Sequence, residues 1–134
     1  AAALMGPSQA RAGLEGDVIE VADGLAAIRT PAGVLHVAGV TGGRVRIRIR
    51  AEDVIVATQE PQGLYALNTL PAVIEAVQAG QGPGVMLRLQ AGDGVLLARL
   101  TRRSFDRLGL GVGQKVWAVL KTSGVARSDV GGGS

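Results

Sequence analysis

The 134-residue chain contains no cysteine and one histidine, His36. The first absence excludes disulfides and thiolate metal sites, and the second argues against a metal site built on histidine. Aromatic residues are almost as scarce, with one Trp, one Tyr and one Phe. Binders of single-stranded nucleic acid usually need several stacking platforms, and a net charge of +3 is mild for such a role. No apolar run approaches the ~20 residues of a bilayer span, and the first residues lack the charged-then-apolar build of a signal peptide. The chain is therefore expected to be soluble, with an intracellular address allowed by the missing cysteines. Catalytic signatures are missing too. There is no Gly-x-x-x-x-Gly-Lys-Ser/Thr loop, no Gly-x-Ser-x-Gly and no histidine near a nucleophile, so no enzyme is expected and His36 reads as a residue on a barrel face.

What the chain has in quantity is small and apolar residues: 47% are hydrophobic, 19% charged, and 21 are glycine. That composition suits a real core wrapped by short strands and tight turns. Strands are expected at 17–22, 25–30 and 33–38, separated by Asp23-Gly24 and Pro31-Ala32-Gly33. Val45 to Arg50 alternates strictly, sending Val45, Ile47 and Ile49 to one face and Arg46, Arg48 and Arg50 to the other. The arginines form either a solvated face or a basic patch for an acidic partner. Further strands are expected at 54–57, 68–76, 84–89 and 95–100.

The densest chemistry lies between Leu96 and Ser123. A strand ends at Leu100, Thr101-Arg102-Arg103-Ser104 opens a short helix, Gly109 closes it, and a last strand at 115–120 leads to Lys121. Hydroxyls at a helix start, together with an ammonium, suit a small oxyanion. The plainer alternative makes Thr101 an N-cap and Lys121 a solvated strand end.

An internal repeat connects the two halves. Val18-Ile19-Glu20 recurs as Val73-Ile74-Glu75, Gly33-Val34-Leu35 as Gly94-Val95-Leu96, and 45–54 parallels 116–125 at an offset of 71. Between the last two blocks the second copy is ten residues longer, and the extra length is the Thr101–Leu110 insert. The expected class is all-β: two small OB-like β-barrel lobes, with one short helix in the second. The expected divisions are 1–14 as linker or disordered segment, 15–60 as first lobe, 61–126 as second lobe and 127–134 as flexible tail. Arg50-Ala51-Glu52 falls where the second copy has Lys121-Thr122-Ser123, which leaves a basic residue in both lobes.

The segments Ala98–Ser104, Leu108-Gly109-Leu110, Gly113–Val116 and Leu120–Ser123 resemble the molybdate-binding Mop module, a relative of TOBE domains. Leu64 to Pro71 is similar to that module's opening signature, Ser-Ala-Arg-Asn followed by Leu, and 45–57 resembles the first half of the regulatory tail on the ATP-binding subunit of molybdate importers. The resemblance implies OB-like barrels that dimerise and bind molybdate or tungstate where chains meet. It assigns the anion to Thr101, Ser104, Lys121 and Ser123, with Ala66 and Asn68 at signature positions. Tyr65 and Leu67 also occupy signature positions but replace Ser and Arg, and losing the Arg removes a fixed cation and its fork of donors.

The resemblance further implies a cytoplasmic regulatory domain, peripheral at the inner face of the membrane, that senses the anion and restrains transport. It implies a homodimer linked through the parent chain to nucleotide-binding and membrane subunits. Neither a cofactor, nor nucleic acid, nor direct membrane insertion is expected. A purely structural dimerisation module with a degenerate anion site is the rival reading. A third is an OB-type nucleic-acid binder using Arg46, Arg48 and Arg50.

Overall fold

The computed structural model describes residues 11–40, 42–62, 67–80, 82, 84–121 and 126–129. Their strands, in chain order, are β1 (Arg11–Ala22), β2 (Leu25–Thr30), β3 (Gly33–Ala38), β4 (Arg44–Arg50), β5 (Ile55–Ala57), β6 (Leu67–Ala79), β7 (Gly84–Ala91), β8 (Gly94–Thr101), β9 (Lys115–Lys121) and β10 (Ala126–Asp129). The one α-helix among the described residues, α1 (Arg102–Leu108), follows β8, and a 3₁₀ turn at Ala51–Asp53 follows β4. β4 shows why these segments are strands. Val45, Ile47 and Ile49 are buried while the four arginines between and around them are exposed, the period-2 pattern of a sheet covered on one face.

The strands form two antiparallel five-stranded sheets, ordered β10-β4-β1-β2-β3 and β5-β9-β6-β7-β8. They are copies of one plan. In each, a long bent strand pairs through its first half with one neighbour and through its second half with another: β1 with β4 and β2, β6 with β9 and β7. Both long strands carry a bulge at the bend, between Val18 and Glu20 in one and Ile74 and Ala76 in the other. The backbone N–H of Val18 donates to Gly43 O and that of Ile74 to Gln114 O, so Val18 corresponds to Ile74. The sequence match of Val18 with Val73 is thus out of step by one residue, because similar residue types flank the bulge and identity alone does not fix register.

Three expected divisions change. β1 begins at Arg11 inside the expected linker, pairing Arg11 with Arg50 and burying Leu14. β10 lies partly within the expected tail and pairs with β4. The break at 60/61 does not separate the sheets either, since β5 pairs with β9 of the second sheet while β10 returns to the first. The exchange is reciprocal. One cluster of buried residues, including Ile28, Leu35, Ile47, Ile74, Leu87 and Leu96, runs through both sheets, so the lobes share a core.

The lobes also meet turn against turn. Pro31-Ala32-Gly33 and its counterpart Gly92-Asp93-Gly94 are in contact, with Asp93 N–H donating to Pro31 O at 2.8 Å. A Cβ on Gly94 would stand 2.9 Å from the Ala32 nitrogen, which accounts for glycine there.

Candidate functional site

The short helix is set by its caps. Thr101, extended at φ −72° and ψ 153°, accepts a hydrogen bond from Ser104 N–H at 3.1 Å, and its hydroxyl donates to Ser104 Oγ at 3.0 Å. Gly109 closes the helix in the left-handed region at φ 64°. Thr101 is therefore the N-cap, and capping is what brings the two hydroxyls together. With Thr101 donating to it, Ser104 Oγ keeps its own proton for an outside acceptor. Both residues are exposed.

Arg102 and Arg103 are exposed in the same turn and have no ion-pair partner among the described residues. Basic residues at a helix start oppose the macrodipole, and here both face solvent. The doubled arginine was visible in the sequence but was not assigned a role there.

Asn68 takes a different role from the one its signature position implied. Its side chain is buried, with the amide oxygen accepting from His36 N–H at 2.7 Å and the amide nitrogen donating to His36 O at 3.0 Å. Asn68 lies in β6 of the second sheet and His36 in β3, an edge strand of the first. The amide thus pins an edge strand across the sheet boundary and is committed to that bond pair. His36 itself is exposed on its strand.

Lys121 ends β9 and pairs in register with Leu67, next to Asn68 opposite Leu120. Thr101 pairs with Gly84 at the far end of the β6–β7 hairpin, where Ala79 pairs with Val85. The ladders therefore put Lys121 and Leu67 at one end of β6 and the Thr101–Ser104 hydroxyls at the other, separated by a strand path on the order of 40 Å. Register thus sets the Thr101 and Lys121 backbones at opposite ends of the β6 ladder, although both belong to the second lobe. Tyr65, Ala66 and Ser123 lie outside the described residues.

In the first lobe, Arg50 occupies the register of Lys121 and is held by Glu52 and, at 4.0 Å, by Asp53. Glu52 is kept below the ordinary carboxylate range by a hydrogen bond from its own backbone N–H, with Arg50 adding to the effect. Arg44 bonds Asp17 and Glu15, and Arg46 bonds Glu15. Most of the arginine face is thus neutralised within the sheet. Among the described residues no cluster of His, Cys, Asp and Glu could hold a metal ion, and no helix is long and apolar enough to cross a membrane.

Comparison with known proteins decides the family, because the TOBE domain matches residues 65–126. Residues 65–126 belong to the TOBE domain family. Relatives extend the likeness over the first lobe. The chain is 42% identical over 113 residues to the molybdenum import ATP-binding protein ModC of Mesorhizobium japonicum, a match covering 82% of this chain and 30% of the relative. It is 40% identical over 119 residues to ModC of Rhizobium etli, covering 85% and 34%. The chain thus spans about a third of the length of these relatives. A crystal structure of the cytoplasmic molybdate-binding protein ModG, solved with molybdate bound, superposes at a TM-score of 0.76 with 21% identity, covering 87% of this chain and 94% of that one. That likeness establishes the OB-like two-lobe fold in which the TOBE domain sits.

Proposed function

We propose that this chain is the C-terminal regulatory part of the ATP-binding subunit of a molybdate importer, binding molybdate or tungstate at the cytoplasmic face of the membrane. The observation that carries the reading is the division of oxyanion-suited groups between the two ends of β6. The hydroxyl pair with Arg102 and Arg103 lies at one end, and Lys121 lies at the other. A dianion stripped of water needs more donors than either end supplies, and two chains facing each other would join unlike ends into paired sites. The ModC relatives and the ModG fold supply the ligand class. ATP hydrolysis then belongs to another part of the parent polypeptide. Anion binding regulates transport in this scheme because it stabilises one arrangement of the two chains over the other.

The test is thermal unfolding with molybdate, tungstate or sulfate against chloride at equal ionic strength. A specific anion at 100 times its Kd adds about 2.7 kcal/mol of apparent stability, and Lys121→Ala removes most of that gain. No shift at millimolar molybdate sinks the reading.

One observation favours a second reading, a purely structural dimerisation module: Leu67 stands where the Mop signature has Arg. If Leu67→Arg creates an anion-dependent shift that the parent lacks, that second reading holds.

A further inference from the structure

Among the described residues two polar side chains are buried, Thr30 and Asn68. Thr30 uses its hydroxyl inside its own turn, donating to Gly33 O at 2.7 Å and accepting from Ala32 N–H at 3.2 Å. Asn68, 4% exposed, reaches out of its own sheet instead and takes both backbone groups of His36. The first lobe has no equivalent. Arg11 pairs with Arg50 as Leu67 pairs with Lys121, so the place of Asn68 on the repeated plan belongs to Ala12, whose side chain carries no polar group. The bond pair therefore runs one way, from the second lobe onto the first.

It also lies beside the Lys121 end of β9. Leu67, the residue before Asn68, pairs with Lys121, and Asn68 itself pairs with Leu120. Consecutive Cα atoms are about 3.8 Å apart, so a shift of the Leu67–Lys121 rung acts directly on Asn68. A bidentate amide tolerates little displacement. Moving Asn68 away from β3 by about 1 Å takes bonds of 2.7 and 3.0 Å beyond hydrogen-bonding range. Because Asn68 is buried, the parted amide is left without water or partner, and intermediate positions are poor. The contact is therefore either made or open.

On the receiving side, β3 is placed to register the change. The turn that leads into it is already fixed against the second lobe, with Asp93 N–H donating to Pro31 O at 2.8 Å. His36 is the point further along the strand that a buried side chain of the second lobe holds. Opening that point frees an edge strand of the first sheet while its leading turn stays in place.

We propose that the Asn68–His36 bond pair is a conformational latch that couples anion occupancy at the Lys121 end of β9 to the setting of β3, and through it to the first lobe. The inference rests on the molybdate reading for its ligand and on the amide geometry for its mechanism. Anion binding orders the Leu67–Lys121 rung, holds Asn68 in place and favours the closed latch. Coupling of this kind is reciprocal, so a closed latch raises anion affinity by the same factor.

The test reads the coupling from both sides. Hydrogen exchange at His36 N–H, the proton donated to Asn68, reports latch opening. Saturating molybdate is expected to slow it roughly fivefold or more against chloride at equal ionic strength, and to slow the amides of the β1–β4 ladder less. Calorimetry reads the reverse direction. Asn68→Ala, and His36→Pro, which removes the N–H from the first-lobe side at an edge strand, are each expected to weaken molybdate by a similar factor. His36→Ala keeps the backbone and is expected to leave the affinity unchanged. A merely structural bond pair would lower the urea midpoint of Asn68→Ala and leave molybdate affinity where it was, which overturns the proposal. Loss of affinity in His36→Ala would make the imidazole the ligand and overturn it too. The exchange measurement needs no variant, so it decides the coupling even where a substitution prevents folding. Molybdate bound with His36 exchange unchanged overturns the latch and leaves the anion reading standing, whereas no molybdate bound by the parent removes both.

Discussion

Asn68 shows how a side chain at a signature position can carry a structural task in the fold. Its signature position pointed to an anion, yet both ends of its amide are spent on the His36 backbone. Asn68→Ala removes both hydrogen bonds to the part-buried His36 backbone, so it is expected to cost about 1 kcal/mol per lost bond, read as a lower urea midpoint with an unchanged slope. Glu15 illustrates the opposite case, an exposed group with a definite electrostatic signature. Its carboxyl is held below the ordinary range, chiefly by the Arg46 hydrogen bond and also by Arg44. A carboxylate with a lowered folded pKa stabilises the protein above its unfolded pKa, and that contribution is lost as pH falls through the folded value. Glu15→Gln is therefore expected to lower the urea midpoint slightly at pH 7, to have no effect once pH is below the folded pKa, and to matter less in high salt. An equal effect at acid pH and at pH 7 would mean the ion pairs contribute nothing.

At the scale of elements, most strands were legible because alternation and turn residues are local signals. β2, β3 and β4 fall within one residue of their expected bounds, and Gly109 marks the end of α1 as its position foretold. Partnership was not legible. Ile55–Ala57 reads as an apolar strand whichever sheet receives it, and only tertiary packing assigns it to β9 while Ala126–Asp129 crosses to β4. Register was not legible either: Thr101 and Lys121 are near in the chain, but the ladders set their backbones at opposite ends of β6. The exchange has a mechanical consequence. A fragment of residues 1–60 lacks β10, which flanks β4, and a fragment of 61–134 lacks β5, which flanks β9, while the shared core is divided between them. Each fragment alone is expected to show weak near-ultraviolet circular dichroism and no cooperative melt, and mixing them is expected to restore both. A fragment that melts cooperatively by itself would show that the exchanged strands are dispensable.

At the scale of the whole molecule, the proposed two-chain site determines which variant chains should complement each other. If each site joins Thr101 and Ser104 of one chain to Lys121 of the other, a symmetric dimer holds two equivalent sites. A Lys121→Ala homodimer loses the ammonium from both, and a Thr101→Ala, Ser104→Ala homodimer loses the hydroxyls from both. In the mixed dimer, the Lys121→Ala chain still offers its hydroxyls and the other chain still offers its lysine, so one site is rebuilt intact while the second carries both lesions. Calorimetry is expected to find no tight molybdate in either parent and about one anion per mixed dimer, at parent-like affinity. Thr101 also caps α1, so its removal costs about 0.5–2 kcal/mol independently of the anion, and the single Ser104→Ala variant separates the loss of a ligand from the loss of the cap. Had the groups belonged to one chain's site, both mixed sites would be defective and mixing would recover nothing. Confirmed heterodimers without regained binding would therefore return the anion, if it binds at all, to a single chain.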